Sequence, residues 1–119
     1  MSKILLVEDD ATMRMLLKTL LELDHHTVNM VSDPRQDIVQ IVVDLKPEII
    51  IMDVHLRSKN GIDVLKSIRQ QNLSWKPYIL MASGMDVRDE CLQAGANGFL
   101  MKPYMPDELS KLLKKAQTV

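Results

Sequence analysis

The stretch Ile4-Leu5-Leu6-Val7-Glu8-Asp9-Asp10-Ala11-Thr12-Met13-Arg14 (ILLVEDDATMR, residues 4–14) runs a solid apolar segment into three consecutive acids and then into a helical pattern. Side chains alternate along a strand, so an unbroken apolar run means that both faces are covered. Met13, Leu16, Leu17, Leu20 and Leu21 then recur at helical spacing between Ala11 and Leu23. A buried strand feeding straight into an amphipathic helix is the opening of a βα unit. The junction is the puzzle. Three carboxylates there repel one another and resist desolvation, so either a cation meets them or they face water.

Working outward, the same alternation repeats. TVNMV (27–31) reads as a strand with one partly polar face, as at a sheet edge. Asp33-Pro34 is a helix-start signal, with the helix running through Ile38, Ile41 and Val42 and stopping before Pro47. EIIIMD (48–53) is β-branched and strand-like, and the turn-rich loop HLRSKNG (55–61) follows it. Ile62, Leu65 and Ile68 mark the next helix, and PYILMAS (77–83) the next buried strand. Val87 to Ala94 reads as a short helix with Gly95 as its C-cap. GFLMK (98–102) is a last strand, and Pro106 opens a final helix bearing Leu109, Leu112 and Leu113. Five strands alternating with five helices predict an α/β fold. It is one doubly wound (βα)5 unit, a five-stranded parallel sheet with helices on both faces and right-handed crossovers.

At 119 residues the sequence suits one domain spanning 1–119 with no output domain. A net charge of −1 gives no basic stripe for nucleic acid, and Lys111, Lys114 and Lys115 read as a solvated helix end favoured by the helix dipole. Cys91 is the only cysteine, which excludes an intrachain disulfide and a Cys-rich zinc site. No apolar run approaches membrane-spanning length and none resembles a signal peptide, so the expected location is cytoplasmic, away from membranes.

In an open parallel sheet ligands bind beyond the carboxyl ends of the strands. Those ends carry Glu8, Asp9 and Asp10 after the first strand, Asp53 after the third, Ser83 and Gly84 after the fourth, and Lys102 with Pro103 after the fifth. A polar residue at one strand end is ordinarily a helix cap or a solvated loop residue. Four strands delivering complementary groups to one rim is a pattern. Carboxylates without a His/Cys set suit a hard divalent ion such as Mg2+ (or Mn2+). Lys102 offers a compact charge for a phosphoryl oxygen or for Asp53, Ser83 a hydroxyl donor, and a carboxylate is a competent nucleophile toward phosphoryl groups.

These residues in this order resemble the receiver domains of two-component response regulators. The likeness rests on the acidic pair Glu8-Asp9, on D-x-x-L-x-x-x-x-G from Asp53 to Gly61, on Ser83-Gly84 and on Lys102-Pro103, and it covers essentially the whole chain. It implies a flavodoxin-like strand order 2-1-3-4-5, with Asp53 as phosphoacceptor. Magnesium would be held by Glu8, Asp9, Asp53 and the backbone carbonyl of His55. Lys102 would contact the acceptor or its phosphoryl group, Ser83 would be the switch hydroxyl and Phe99 the switch aromatic. A plain core role for Phe99 stands beside that one.

The implied role is a phosphorelay switch rather than an enzyme, catalysing at most its own phosphorylation and dephosphorylation. The implied donor is a sensor histidine kinase or a phosphotransfer protein, and phosphorylation changes the affinity for a downstream protein target. The domain is implied to be a monomer or a phosphorylation-dependent dimer.

Four departures stand out. Arg57 occupies the place where proline often follows the acceptor-loop leucine. The interval from Ser83 to Lys102 is about three residues shorter than the family's, which predicts a trimmed region after the fourth strand. Pro77 lies one residue further from Ser83 than expected, leaving Ala82 as an alternative occupant of the switch place. Tyr104 stands where phenylalanine is commoner. His55 and Met85 are placed to tune dephosphorylation, while His25 and His26 are assigned no role.

Three other readings compete. An Asp-nucleophile phosphatase would carry a second acid where His55 stands. A flavin binder would need a phosphate-cradling loop where the acids are. A receiver-shaped docking module that is never phosphorylated keeps the same fold.

Overall fold

The structure is a computed structural model that describes residues 2–31, 33 and 35–117. In chain order the elements are β1 (Lys3–Val7), α1 (Ala11–Leu23), β2 (Thr27–Met30), α2 (Ile38–Leu45), β3 (Ile49–Asp53), α3 (Gly61–Gln70), β4 (Tyr78–Ser83), α4 (Arg88–Gln93), β5 (Gly98–Met101) and α5 (Pro106–Gln117). All strand pairings are parallel and the order is β2-β1-β3-β4-β5, as the resemblance implied. No helix among the described residues is long and apolar enough to cross a membrane.

Strand alternation sorts the core into two layers. Leu5, Ile50, Met52, Ile79 and Met81 face α2, α3 and α4, where Ile38, Leu65 and Cys91 meet them. Ile4, Leu6, Ile51, Leu80, Ala82 and Leu100 face α1 and α5, where Leu17, Leu21, Leu109 and Leu113 meet them. Both faces of the central strands are dry, which explains the unbroken apolar runs.

Short polar side chains set the helix starts. The Asp10 carboxylate accepts the Met13 N–H at 3.0 Å and begins α1. That makes the third acid of the opening run a helix cap. The expected start of α2 at Asp33-Pro34 is corrected. The helix begins at Ile38, with Asp37 accepting the Gln40 N–H at 3.2 Å, and Pro34 lies outside the described residues. A proline after a cap residue signals a helix only if the following chain turns, and here Asp37 supplies a competing cap. The helix ends as expected before Pro47, with Lys46 in the left-handed region. α4 spans 88–93, one residue inside each expected end, and is the shortest helix.

The amino ends of the strands are pinned as firmly as their carboxyl ends are open. Arg69 donates to the carbonyls of Gly95 and Pro77, both at 2.9 Å, and to Asn97 Oδ1 at 2.8 Å. Gly95 has φ +112°, and a Cβ there would sit 2.8 Å from Arg69 Cγ, so glycine is required twice over. Trp75 Nε1 donates to the Pro47 carbonyl at 2.7 Å, tying the approach to β4 onto the approach to β3. His26, a residue without an assigned role, is buried and accepts the Ser2 N–H on Nδ1 at 3.1 Å. Burial holds its pKa below the ordinary value.

The motif glycine Gly61 is explained by close approach. Its N–H donates to the Val54 carbonyl at 2.6 Å, and a Cβ there would fall 2.1 Å from the Asp53 carbonyl oxygen. The loop after β3 folds back onto the strand it left. Gly61→Ala is expected to cost about 2–3 kcal/mol by forced overpacking against rigid backbone, read as a lowered urea midpoint at unchanged m-value.

Candidate functional site

The carboxyl ends of all five strands lie along one edge of the sheet, so whatever follows β1, β3, β4 and β5 faces a common rim. Glu8 and Asp53 are both buried, at 5% and 7% exposure. Parity puts them on the same side of the sheet, with Ile4, Leu6 and Ile51. Lys102 follows β5, two strands from β3, so its side chain must reach across roughly 9–10 Å of sheet. It passes the end of β4 on the face where the small Ala82 stands. Its ammonium lies 2.9 Å from Glu8 Oε1 and 2.5 Å from Asp53 Oδ1. The backbone is held to match, with Lys102 N–H donating to the Ser83 carbonyl at 2.8 Å, and the Lys102–Pro103 peptide that follows is cis.

The electrostatics follow from two acids sharing one cation out of water. Burial and a hydrogen bond with Glu8 push the Asp53 pKa up to about 7, against the opposing pull of Lys102. Burial also raises Glu8, but the bonds it receives from Asp53, Lys102 and the Asp10 N–H outweigh this and hold it below its ordinary value. Proton affinity is thus driven up at Asp53 and down at Glu8. Burial disfavours the charged form of Lys102, yet its bonds to Asp53 and Glu8 raise its pKa. Clustered carboxyls whose environments push their proton affinities apart are a mark of reactive sites.

The remaining expected residues fall differently. Asp9 turns from the pair and meets Arg57, with Nε 3.5 Å from Oδ1. Among the described residues no three His, Cys, Asp or Glu side chains are gathered as a metal-holding group, so the expected set Glu8, Asp9 and Asp53 is assembled only in its first and last members. The donor chemistry still fits a hard divalent ion. All the donors are oxygens, and two buried carboxyls share a single ammonium. His55 lies in the acceptor loop, bridged to Asn60, and its side chain is exposed.

Ser83 is not beside Asp53. In register, Asp53 pairs with Ala82. Ala82 shares the α1/α5 face with the acids, whereas alternation gives Ser83 the opposite face, and its buried Oγ accepts the Met85 N–H at 3.0 Å. Register thus gives the place beside Asp53 to Ala82, the alternative occupant, rather than to Ser83. A one-residue shift in a strand exchanges faces. Phe99 is a core residue under α4, 4% exposed, with the Arg88 guanidinium 5.6 Å from its ring centroid.

Two arginines that the sequence did not single out as site residues border the acids. Arg14 Nη1 donates to the Glu8 carbonyl at 3.0 Å, and Arg14 and Arg57 together with Glu8 and Asp9 line a cleft of about 180 Å³. The signal for Arg57 was its presence in place of a proline. Arg14 had none beyond its helical position.

Comparison with known proteins places this geometry. A family profile described as the response regulator receiver domain matches residues 4–114. The chain is 32% identical over 114 residues to the chemotaxis protein CheY of Thermotoga maritima, covering 95% of each chain. It is 37% identical over 113 residues to the transcriptional regulatory protein CpxR of Escherichia coli, of which it spans 46%. The structure of the chemotaxis response regulator CheY4 of Vibrio cholerae superposes with a TM-score of 0.86 at 27% identity, covering 98% of both chains.

The Asp53 proton gives the site a signature in stability. The folded state keeps this proton up to about pH 7, while an unfolded carboxyl releases it near 3.8. Between those values the folded state binds more protons, so the contribution of Asp53 to stability falls as pH rises from about 4 to about 7. Asp53→Asn is expected to be more stable than the parent at pH 8 by on the order of 1–3 kcal/mol, with the gap closing toward pH 4, measured by urea unfolding across that range.

Proposed function

The chain belongs to the response regulator receiver domain family of two-component systems, a family of signalling switches, and we propose that within that role Asp53 is the phosphoacceptor. The observation that supports this reading is the buried Glu8–Asp53–Lys102 cluster, which holds a nucleophilic carboxyl against a fixed cation at the rim. Family membership supports a histidine kinase or phosphotransfer protein as donor. The transfer is then from a phosphohistidine. An oxygen of the Asp53 carboxylate form makes a bond to phosphorus. The N–P bond breaks, and the imidazole, protonated on its other ring nitrogen, leaves as the neutral base with the electron pair. Lys102, already on Asp53 Oδ1, is placed to pair with a phosphoryl oxygen as charge gathers there.

Mg2+ or Mn2+ bound by Glu8, Asp9, Asp53 and the His55 carbonyl would neutralise charge on the transferring group. Each protein residue has a separable task. Glu8 orients Lys102 and holds the Asp53 proton partner. Gly61 lets the acceptor loop close on β3. Burial of both acids excludes bulk water from the anhydride that forms.

Ala82 beside Asp53 supplies no hydroxyl, so the signal passes through Lys102 and the end of β5 rather than through a hydroxyl latch. Lys102 is bonded to the Ser83 carbonyl, and Phe99 lies three residues before it, under Arg88. A shift of the ammonium toward a phosphoryl group therefore pulls on the segment that supports α4 and α5, the proposed face for a downstream partner.

Incubation with acetyl phosphate and Mg2+ is expected to add one phosphoryl group by intact mass. Asp53→Asn or chelation of the metal abolishes the addition, and Ser83→Ala leaves it in place while costing about 1 kcal/mol of stability through the lost Met85 bond. No addition to the parent chain under any phosphodonor would leave the docking-module reading instead.

A further inference from the structure

We propose that Arg57 is a built-in counter-ion for Asp9 that competes with divalent cations and so sets how tightly the acid pocket takes up Mg2+ or Mn2+. The inference deepens the proposed function and rests on its metal site. The acids Glu8, Asp9 and Asp53 form their ion pairs with Lys102 and Arg57, and the division is uneven. Lys102 serves Glu8 and Asp53 together from within the fold. Asp9 is left over, and the group that claims it is the guanidinium of Arg57, 3.5 Å away. This pairing accompanies the incomplete assembly of the three acids, since Asp9 is the member that stands apart.

The placement of Arg57 is built in. It follows Asp53 by four residues in the acceptor loop, so the segment that presents the nucleophile also presents the competing charge. Leu56 is buried, and its backbone exchanges hydrogen bonds with Lys59, N–H to carbonyl in each direction at 3.2 and 3.3 Å. That small turn fixes where the next side chain leaves the loop, beside the cleft that Glu8, Asp9 and Arg14 also line. A proline at this position would carry neither charge nor donor.

The pair is also easily exchanged. The Arg57 side chain is 79% exposed and that of Asp9 24% exposed, so the bridge is screened by water and weakly held. A divalent ion entering the pocket meets two penalties: Asp9 must release or share its guanidinium, and a positive charge remains a few ångströms from the dication. Both are Coulombic and both weaken with salt. Arg57 therefore offsets the charge of Asp9 when no metal is bound and lowers the affinity of the pocket for the metal without blocking it.

The test is Mn2+ binding to the whole chain, followed by electron paramagnetic resonance of the free ion, with Mg2+ measured by competition. Arg57→Ala is expected to bind Mn2+ about three- to tenfold more tightly than the parent at low ionic strength, with the difference shrinking to under twofold near 1 M salt. Arg57→Lys keeps the charge and is expected to stay within about twofold of the parent. Thermal unfolding of each variant checks that this exposed position leaves the fold intact. Parent and Arg57→Ala binding equally well at low salt would overturn the inference and leave the metal site standing. Weaker binding by Arg57→Ala would overturn it by showing that Arg57 supports the site. No binding by either protein would remove the metal site itself, and the inference with it.

Discussion

One ammonium group bears the electrostatics of this molecule. Two carboxyls buried at the end of a dry parallel sheet are a liability, because each resists desolvation and each repels the other. Lys102 answers both by lying between them, and it does so from a strand two places away. That reach dictates its surroundings. The sheet must be parallel so that β1, β3 and β5 end together. β4 must present something small on the intervening path, which Ala82 is. Lys102 is the cation that reaches both buried carboxylates, and the remaining acid, Asp9, meets its cation at the solvent boundary instead. Burial and Glu8 raise the Asp53 pKa despite Lys102, so the compensation is incomplete, and a site short of positive charge is receptive to more of it.

The division of labour between the two faces of the sheet follows from the same geometry. Side chains that alternate along each strand send the chemistry to the α1/α5 side and the aromatic and Ser83 to the α2–α4 side. The acid cluster and the pair Phe99 and Ser83 thus sit on opposite faces, joined through the backbone of the strand ends. The bond from Lys102 N–H to the Ser83 carbonyl is one such link. Arg88 over Phe99 adds a cover on the far side, with a cation above the negative face of the ring.

Much of this was legible in the residues. Every strand and helix was recoverable from apolar runs and helical stripes, and the rim position of Glu8, Asp53 and Lys102 followed from where the strands end. What escaped was fine register. The difference between Ala82 and Ser83 is one step along β4, and the apolar run there offers no polar alternation by which to count it. The start of α2 failed for a kindred reason. Two cap residues, Asp33 and Asp37, stand four apart, and only tertiary contacts choose between them. Arg57 announced itself as an oddity in the loop, but its partner is 48 positions away in the chain and no local pattern names it.

Trp75 carries a practical corollary. It is the sole indole in the chain, and its N–H is committed to a carbonyl at the amino ends of the strands, a full strand length from the carboxyls, on the order of 15 Å. Its emission is therefore a reporter of whether the chain is folded, one that is largely blind to what binds or reacts at the opposite edge. An optical view of signalling in this molecule requires a fluorophore introduced near the acceptor loop.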